Sequence, residues 1–121
     1  MAIHTQEDMI KIKKTGNSRL HLLDPNNIQF GKLYSDHMLI AHYENGAWGP
    51  AEIRPFGDLT FHPATTFMHY GQAIFEGLKA YRQPGGEISS FRVEANAERF
   101  AASARRLAMP DQQAHVAGGQ I

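Results

Sequence analysis

Hydrophobic and polar residues alternate in short runs along this chain, a pattern that predicts several short strands. Between Met9 and Lys14, two isoleucines alternate with lysines, which predicts a half-buried strand with its charges outward. Residues 1–8 are polar and without pattern, and they are interpreted as a disordered terminus. Thr15–Gln29 is rich in Gly, Asn, Ser, Asp and Pro and predicts a loop.

Two hairpins are predicted further along the chain. Tyr34–Tyr43 and Ala47–Ile53 have the composition of paired strands, and Asn45-Gly46 between them is a strong hairpin signal because both residues tolerate positive φ. Segments 78–82 and 87–92 predict a second strand pair, joined by a turn that contains Pro and two Gly residues.

Two helices complete the prediction. Thr66–Phe75 predicts a short helix that Gly77 stops, and Ala97–Ala108 predicts a longer helix with Asn96 as its N-cap and Pro110 after its end. The apolar face of the longer helix comprises Phe100, Ala104 and Leu107. The predicted fold class is therefore α+β, an antiparallel sheet with short helices.

Composition excludes several classes of protein. The 121 residues allow one domain, and a formal net charge of zero gives no field that would attract nucleic acid or an anionic membrane. The absence of cysteine excludes disulfides and thiolate chemistry. No apolar run is long enough for a membrane helix, and the first residues do not resemble a signal peptide, so we expect a cytoplasmic protein.

The candidate chemistry is limited. The seven histidines follow no metal-binding motif, so no metal site is predicted, and no phosphate-binding glycine loop is present. Arg99, Ser103 and Arg106 share a helix face, which is either a phosphate site or a solvated surface. The aromatic stretch from Phe67 to Arg82 is either core or the wall of an apolar pocket, and the pattern leaves both open.

The stretch from His69 to Arg82 closely resembles the most distinctive N-terminal stretch of the branched-chain amino acid aminotransferases. The resemblance extends in order and spacing over about residues 9–110. Its other segments are Phe30-Gly31, Asp36 to Met38, Trp48 to Pro55, Leu59, Pro63-Ala64, Phe91-Arg92, Asn96 to Arg99 and Ser103 to Pro110. Related fold-type IV enzymes lack this form of the central motif.

The resemblance implies an enzyme that uses pyridoxal 5′-phosphate to exchange an amino group between leucine, isoleucine or valine and 2-oxoglutarate. It implies that residues 9–110 are the small N-terminal domain of a fold-type IV enzyme, incomplete here, and that 111–121 is a divergent tail. A lysine of the family holds the cofactor as a Schiff base and moves the proton.

The resemblance also assigns roles to individual residues. Arg99 matches the arginine that binds the cofactor phosphate, while Phe30, Tyr70 and Phe75 match residues that line the substrate side-chain pocket. The tyrosine at the Tyr70 position reaches the partner subunit's site, which implies a homodimer. For Phe30 and Phe75, a plain core position is the alternative.

No catalytic residue is predicted within this chain. The family's Schiff-base lysine lies beyond position 121, and none of the lysines here matches it. They are Lys11, Lys13, Lys14, Lys32 and Lys79. Lys79 lies in the best-matching motif, but the resemblance gives it a supporting role.

Three hypotheses follow. The chain is an N-terminal fragment of a branched-chain aminotransferase, truncated or shifted in reading frame after Pro110. Alternatively, it is a non-catalytic dimerisation or binding fragment, or a remnant without function. Under each of these hypotheses, the isolated chain is expected to show no transamination.

Overall fold

A computed structural model of the chain describes residues 10–110. The chain divides into two compact units between Thr60 and Phe61, and its elements are α+β in composition. The predicted terminus 1–8 and tail 111–121 lie outside the described residues. The expectation of one aminotransferase domain over 9–110 remains a prediction.

The first unit is built on a small mixed sheet. The strands of this unit are β1 (Ile10–Ile12), β2 (His37–Ile40), β3 (Tyr43–Glu44), β4 (Ala47–Trp48) and β5 (Ala51–Pro55). The mixed sheet contains β1, β5 and β2, while β3 and β4 pair separately. β5 is central, pairing in parallel with β1 and antiparallel with β2, so that Ile53 lies opposite both Ile12 and Leu39. The sheet is therefore mixed and not wholly antiparallel. Ile10 and Ile12 are 47% and 61% exposed, so the half-buried prediction for this strand is wrong.

The predicted hairpin forms, but its arms are shorter than expected. Asn45 and Gly46 have φ of 53° and 81°, the left-handed pair that a two-residue hairpin turn requires, and they join β3 to β4. Gly49 then donates its N–H to the His42 carbonyl at 2.8 Å. After this bond Pro50 interrupts the return strand, and β5 pairs with β2 as a separate ladder.

The predicted loop over Thr15–Gln29 contains one short 3₁₀ turn, Leu20–Leu22, and is anchored by Asp36. The Asp36 carboxylate accepts hydrogen bonds from the Ser18 hydroxyl at 2.6 Å and from the Arg19 backbone N–H at 2.7 Å. These bonds, first that of Ser18, lower the pKa of Asp36. The loop is attached to the start of β2 by this ionised side chain, together with bonds from the Thr15 N–H to His37 Nε2 and from Arg19 Nη2 to the Ser35 carbonyl.

The second unit contains two helices and a hairpin. They are α1 (Thr66–Tyr70), β6 (Ala80–Arg82), β7 (Ile88–Ser90) and α2 (Val93–Arg106). The β6–β7 pair is antiparallel with Tyr81 opposite Ser89, as the strand pattern predicts. Its turn is closed by the Gly86 N–H, which donates to the Gln83 carbonyl at 2.8 Å.

The first helix is shorter than predicted. α1 ends at Tyr70 because Gly71 adopts the left-handed conformation with φ of 63° and caps it. The prediction that the helix continues to Phe75 and stops at Gly77 is wrong. Residues 71–79 instead have no regular secondary structure.

The second helix begins earlier than predicted. α2 starts at Val93 with Arg92 at the N-cap position, so Asn96 lies inside the helix and is not its cap. Its end agrees more closely with the sequence. Ala108 has φ of 53°, and the Met109 N–H donates to the Ala104 carbonyl at 2.8 Å, a Schellman termination followed by Pro110.

The buried core of the described residues is very small. Between residues 10 and 110, the buried hydrophobic side chains are Ala101, 4% exposed, and Ala104, 2% exposed, on one face of α2. Ala104 belongs to the predicted apolar face, whereas Leu107 is 38% exposed. Many large apolar side chains of the described residues remain on the surface.

Candidate functional site

An extended segment lies along α2 in the second unit. From Gln72 to Gly77 the side chains alternate: Gln72, Ile74 and Glu76 are partly covered, while Ala73 and Phe75 are exposed. The hydrogen bonds described below place Gln72 at the end of α2 and Glu76 nearer its start, so the segment runs opposite to the helix. This alternation turns every second side chain away from α2.

Polar side chains attach the segment at both ends. The Gln72 side-chain amide donates to the Leu107 carbonyl at 2.9 Å, and its oxygen accepts from the Thr66 hydroxyl at 2.7 Å. At the other end, the Asn96 side-chain amide donates to the Gly77 carbonyl at 2.9 Å. The segment is thereby held at two points along the helix.

The centre of the site is an ion pair between Glu76 and Arg99. Arg99 Nε donates to Glu76 Oε1 at 2.6 Å and Nη2 donates to Oε2, a bidentate arrangement. Asn96 Nδ2 also donates to Oε2 at 2.9 Å. The Glu76 side chain is 18% exposed and that of Arg99 60%. Hydrogen bonds from Arg99 lower the pKa of the Glu76 carboxyl, and the carboxylate raises that of the guanidinium.

This ion pair leaves part of the guanidinium for a ligand. Glu76 occupies the Nε–Nη2 edge of Arg99, and no described contact uses the Nη1 N–H groups. Arg99 lines an open cleft of about 490 Å³. The other lining residues are Ile74, Ala102, Ser103, Arg106 and Leu107. The lining surface of this cleft is mainly apolar, and its residues able to donate hydrogen bonds to an anion are Arg99, Ser103 and Arg106.

The ion pair predicts an acid-dependent loss of stability. The pKa of Glu76 is lowered in the folded chain, so its contribution is complete above the ordinary glutamate pKa of about 4.3 and is lost as pH falls through the folded value. We expect the urea midpoint of wild type to exceed that of E76Q near neutral pH. The two midpoints should converge below the folded pKa of Glu76, measured by far-UV circular dichroism. A constant difference at all pH values would contradict this.

The predicted substrate-side aromatics are strongly exposed. Phe30 is 103% exposed in the first unit, and Tyr70 and Phe75 are 85% and 92% exposed in the second. None of them makes a ring contact with another aromatic residue within 10–110. They are therefore not core residues in this structure. The alternative that Phe30 and Phe75 occupy plain core positions is wrong for the described residues.

Sequence reasoning missed two residues of this site. The sequence pattern assigns no role to Glu76, and it predicts Asn96 as an N-cap. The usable signal was the spacing of Asn96 and Arg99, which places an amide and a guanidinium on one helix face. Their carboxylate partner lies 23 residues from Arg99 in sequence, which no local pattern indicates.

A metal-binding cluster and a membrane-spanning helix are both absent from the described part of the chain. Residues 10–110 contain no cluster of three or more His, Asp or Glu side chains placed to hold a metal ion. They also contain no helix with the length and apolar character needed to cross a membrane.

Comparison with curated proteins finds branched-chain-amino-acid aminotransferases among the relatives of this chain. The chain is 51% identical to the branched-chain-amino-acid aminotransferase of Mycolicibacterium smegmatis over 86 residues, which is 70% of this chain and 23% of that protein. It is 48% identical to the mitochondrial branched-chain-amino-acid aminotransferase of Mus musculus over 83 residues, covering 68% of this chain and 21% of that protein. With branched-chain-amino-acid transaminase 1 of Bacillus subtilis, identity is 42% over 88 residues, covering 72% and 25%.

These matches confirm the resemblance to branched-chain aminotransferases. The chain spans about a quarter of the length of the curated relatives that it matches. This coverage is consistent with a fragment. No protein-family model matches the chain.

Proposed function

We propose that this chain is the part of a branched-chain-amino-acid aminotransferase that supplies one cofactor phosphate ligand and one wall of the substrate pocket. The observation that carries the proposal is the identity of 42–51% to enzymes of that name over about 70% of the chain. The reaction is amino transfer between leucine, isoleucine or valine and 2-oxoglutarate, and it belongs to the complete enzyme. A cytoplasmic homodimer is part of the same proposal.

Arg99 is the residue proposed to hold the phosphate of pyridoxal 5′-phosphate. The donor set fits this group, since Arg99 lines an open cleft and Glu76 uses only its Nε and Nη2. The carboxylate of Glu76 raises the pKa of Arg99, which is charged near neutral pH in any case. When bound, the cofactor supplies an electron sink for charge that develops on the amino acid. The chain's own role is to bind and orient the phosphate end.

Phe30, Tyr70 and Phe75 are proposed to contact the substrate side chain. A branched aliphatic side chain is stabilised by aromatic surface, and a tyrosine adds a hydroxyl that can donate to the substrate carboxylate. The exposure of Phe75 follows from its position on the outer side of the segment that lies along α2. Tyr70 is proposed to serve the partner subunit's site, which is consistent with its 85% exposure.

A chimera tests this proposal. The 86 matching residues of this chain would replace the corresponding stretch of the M. smegmatis enzyme. Leucine-dependent transamination of 2-oxoglutarate would then be measured. We expect activity, and we expect R99A to weaken cofactor binding by about tenfold or more, as loss of a charge-assisted hydrogen bond does. R82A is the matched control, because Arg82 is an exposed arginine of β6 that does not line the cleft, and its cofactor binding should stay close to that of the parent chimera.

The outcome also separates the alternative function. A folded chimera without activity, together with a stable dimer of the isolated chain on size-exclusion chromatography, would favour a non-catalytic dimerisation fragment. An active chimera whose cofactor affinity is unchanged by R99A would contradict the role proposed for Arg99.

A further inference from the structure

We infer that Glu76 is a positioning residue that orients Arg99 toward a phosphate ligand. The inference rests on the proposed function, in which Arg99 binds the cofactor phosphate. It adds a residue that touches neither cofactor nor substrate and that acts only through the guanidinium.

Glu76 fixes the plane of the guanidinium. Arg99 is 60% exposed, and an exposed arginine without a partner samples many rotamers. The bidentate contact through Nε and Nη2 restricts both the position and the rotation of the planar group. An arginine held in this way loses less conformational freedom when it binds an anion.

Glu76 can act as the fixed member of the pair because it is itself held. Asn96 donates one bond to the Glu76 carboxylate and another to the carbonyl of Gly77, each at 2.9 Å. Asn96 and Arg99 are three residues apart on α2, so both reach the same loop position from one helix face. The carboxylate, only 18% exposed, is thereby placed by the helix that carries the arginine.

The carboxylate and the phosphate use different edges of Arg99. Glu76 takes the Nε–Nη2 edge, whereas the Nη1 N–H groups have no described partner and Arg99 lines the cleft with Ser103 and Arg106. A phosphate can therefore bind without displacing Glu76. If Glu76 instead competed with phosphate for the same edge of Arg99, removal of its carboxylate would strengthen phosphate binding.

Arginine-selective NMR of the full 121-residue chain tests this inference. In ¹⁵N-labelled wild type we expect one Nε–H signal, assigned by its loss in R99K, to be resolved from the other arginines and to shift during titration with inorganic phosphate. In E76Q and in E76D we expect this signal to lose its dispersion, and phosphate binding to weaken by about three- to tenfold. E76D retains the charge but shortens the side chain, so it separates position from charge.

E98Q is the matched control, because Glu98 is an exposed neighbour on α2 whose neutralisation changes the charge in the same way. It should leave the Arg99 signal resolved and phosphate binding at least as strong as in wild type. Far-UV circular dichroism confirms that each variant retains its helix.

The outcomes are distinct. Phosphate binding that strengthens in E76Q, or that stays unchanged in both Glu76 variants, would overturn the inference alone. An unresolved Arg99 Nε–H signal in wild type would also overturn it. A resolved signal that phosphate does not shift would overturn the inference together with the phosphate role proposed for Arg99.

Discussion

Replacement of Ala104 by glutamate is expected to unfold the second unit of this chain. Ala104 is 2% exposed, and with Ala101 it forms the buried apolar surface of the described residues. A longer, charged side chain at this position either overpacks the contact or forces α2 away from the segment that lies along it. Burial of an unpaired polar or charged group costs at least about 2 kcal/mol, a large fraction of the stability of a unit with so small a core.

The matched control is A102E. Ala102 is exposed on the same helix and has the same intrinsic helix propensity, so its replacement should change stability by no more than about 0.5 kcal/mol. Urea titration followed by circular dichroism measures both variants. A104E with a midpoint equal to that of A102E would show that the Ala101–Ala104 surface is not what holds the helix.

The isolated 121-residue chain is expected to have no transaminase activity with pyridoxal phosphate, leucine and 2-oxoglutarate. The resemblance to branched-chain aminotransferases matches none of the five lysines to the one that holds the cofactor and moves the proton. Without that lysine, an arginine and an aromatic wall can bind parts of the reactants but cannot transfer the proton. The expected loss is complete relative to an intact enzyme.

The lysine in the best-matching motif provides the sharpest check. After borohydride reduction of a mixture with pyridoxal phosphate, peptide mass spectrometry should find Lys79 labelled no more readily than the other lysines. K79R should leave the background labelling of the other four lysines and the absence of activity unchanged. Turnover by the wild-type chain that K79R abolishes would contradict the prediction and assign the catalytic role to Lys79.

Sequence was a good guide where the structure depends on neighbouring residues. Asn45-Gly46 predicts the β3–β4 turn because both residues tolerate positive φ, and the structure has them at 53° and 81°. The β6–β7 hairpin and the end of α2 before Pro110 were also predictable from local sequence. In each case the determining contacts lie within a few residues.

Prediction failed where distant segments decide the conformation. The helical pattern over Thr66–Phe75 was broken at Gly71, and the residues after it became an extended segment that contacts α2. Asn96 has the side chain of an N-cap, but inside α2 it instead bonds Glu76 and Gly77. The N-cap preference of asparagine is a local propensity, and tertiary hydrogen bonds can outweigh it.

The sequence alone determined the α+β class, the hairpin turns, the absence of thiol chemistry and, through its motifs, the resemblance to branched-chain aminotransferases. The tertiary structure alone decided that Glu76 is the partner of Arg99, that Asn96 holds both the carboxylate and its loop, and that Phe75 faces away from α2. The reason is physical. Turns depend on the φ preferences of adjacent residues, whereas an ion pair across 23 residues depends on how the chain folds back on itself.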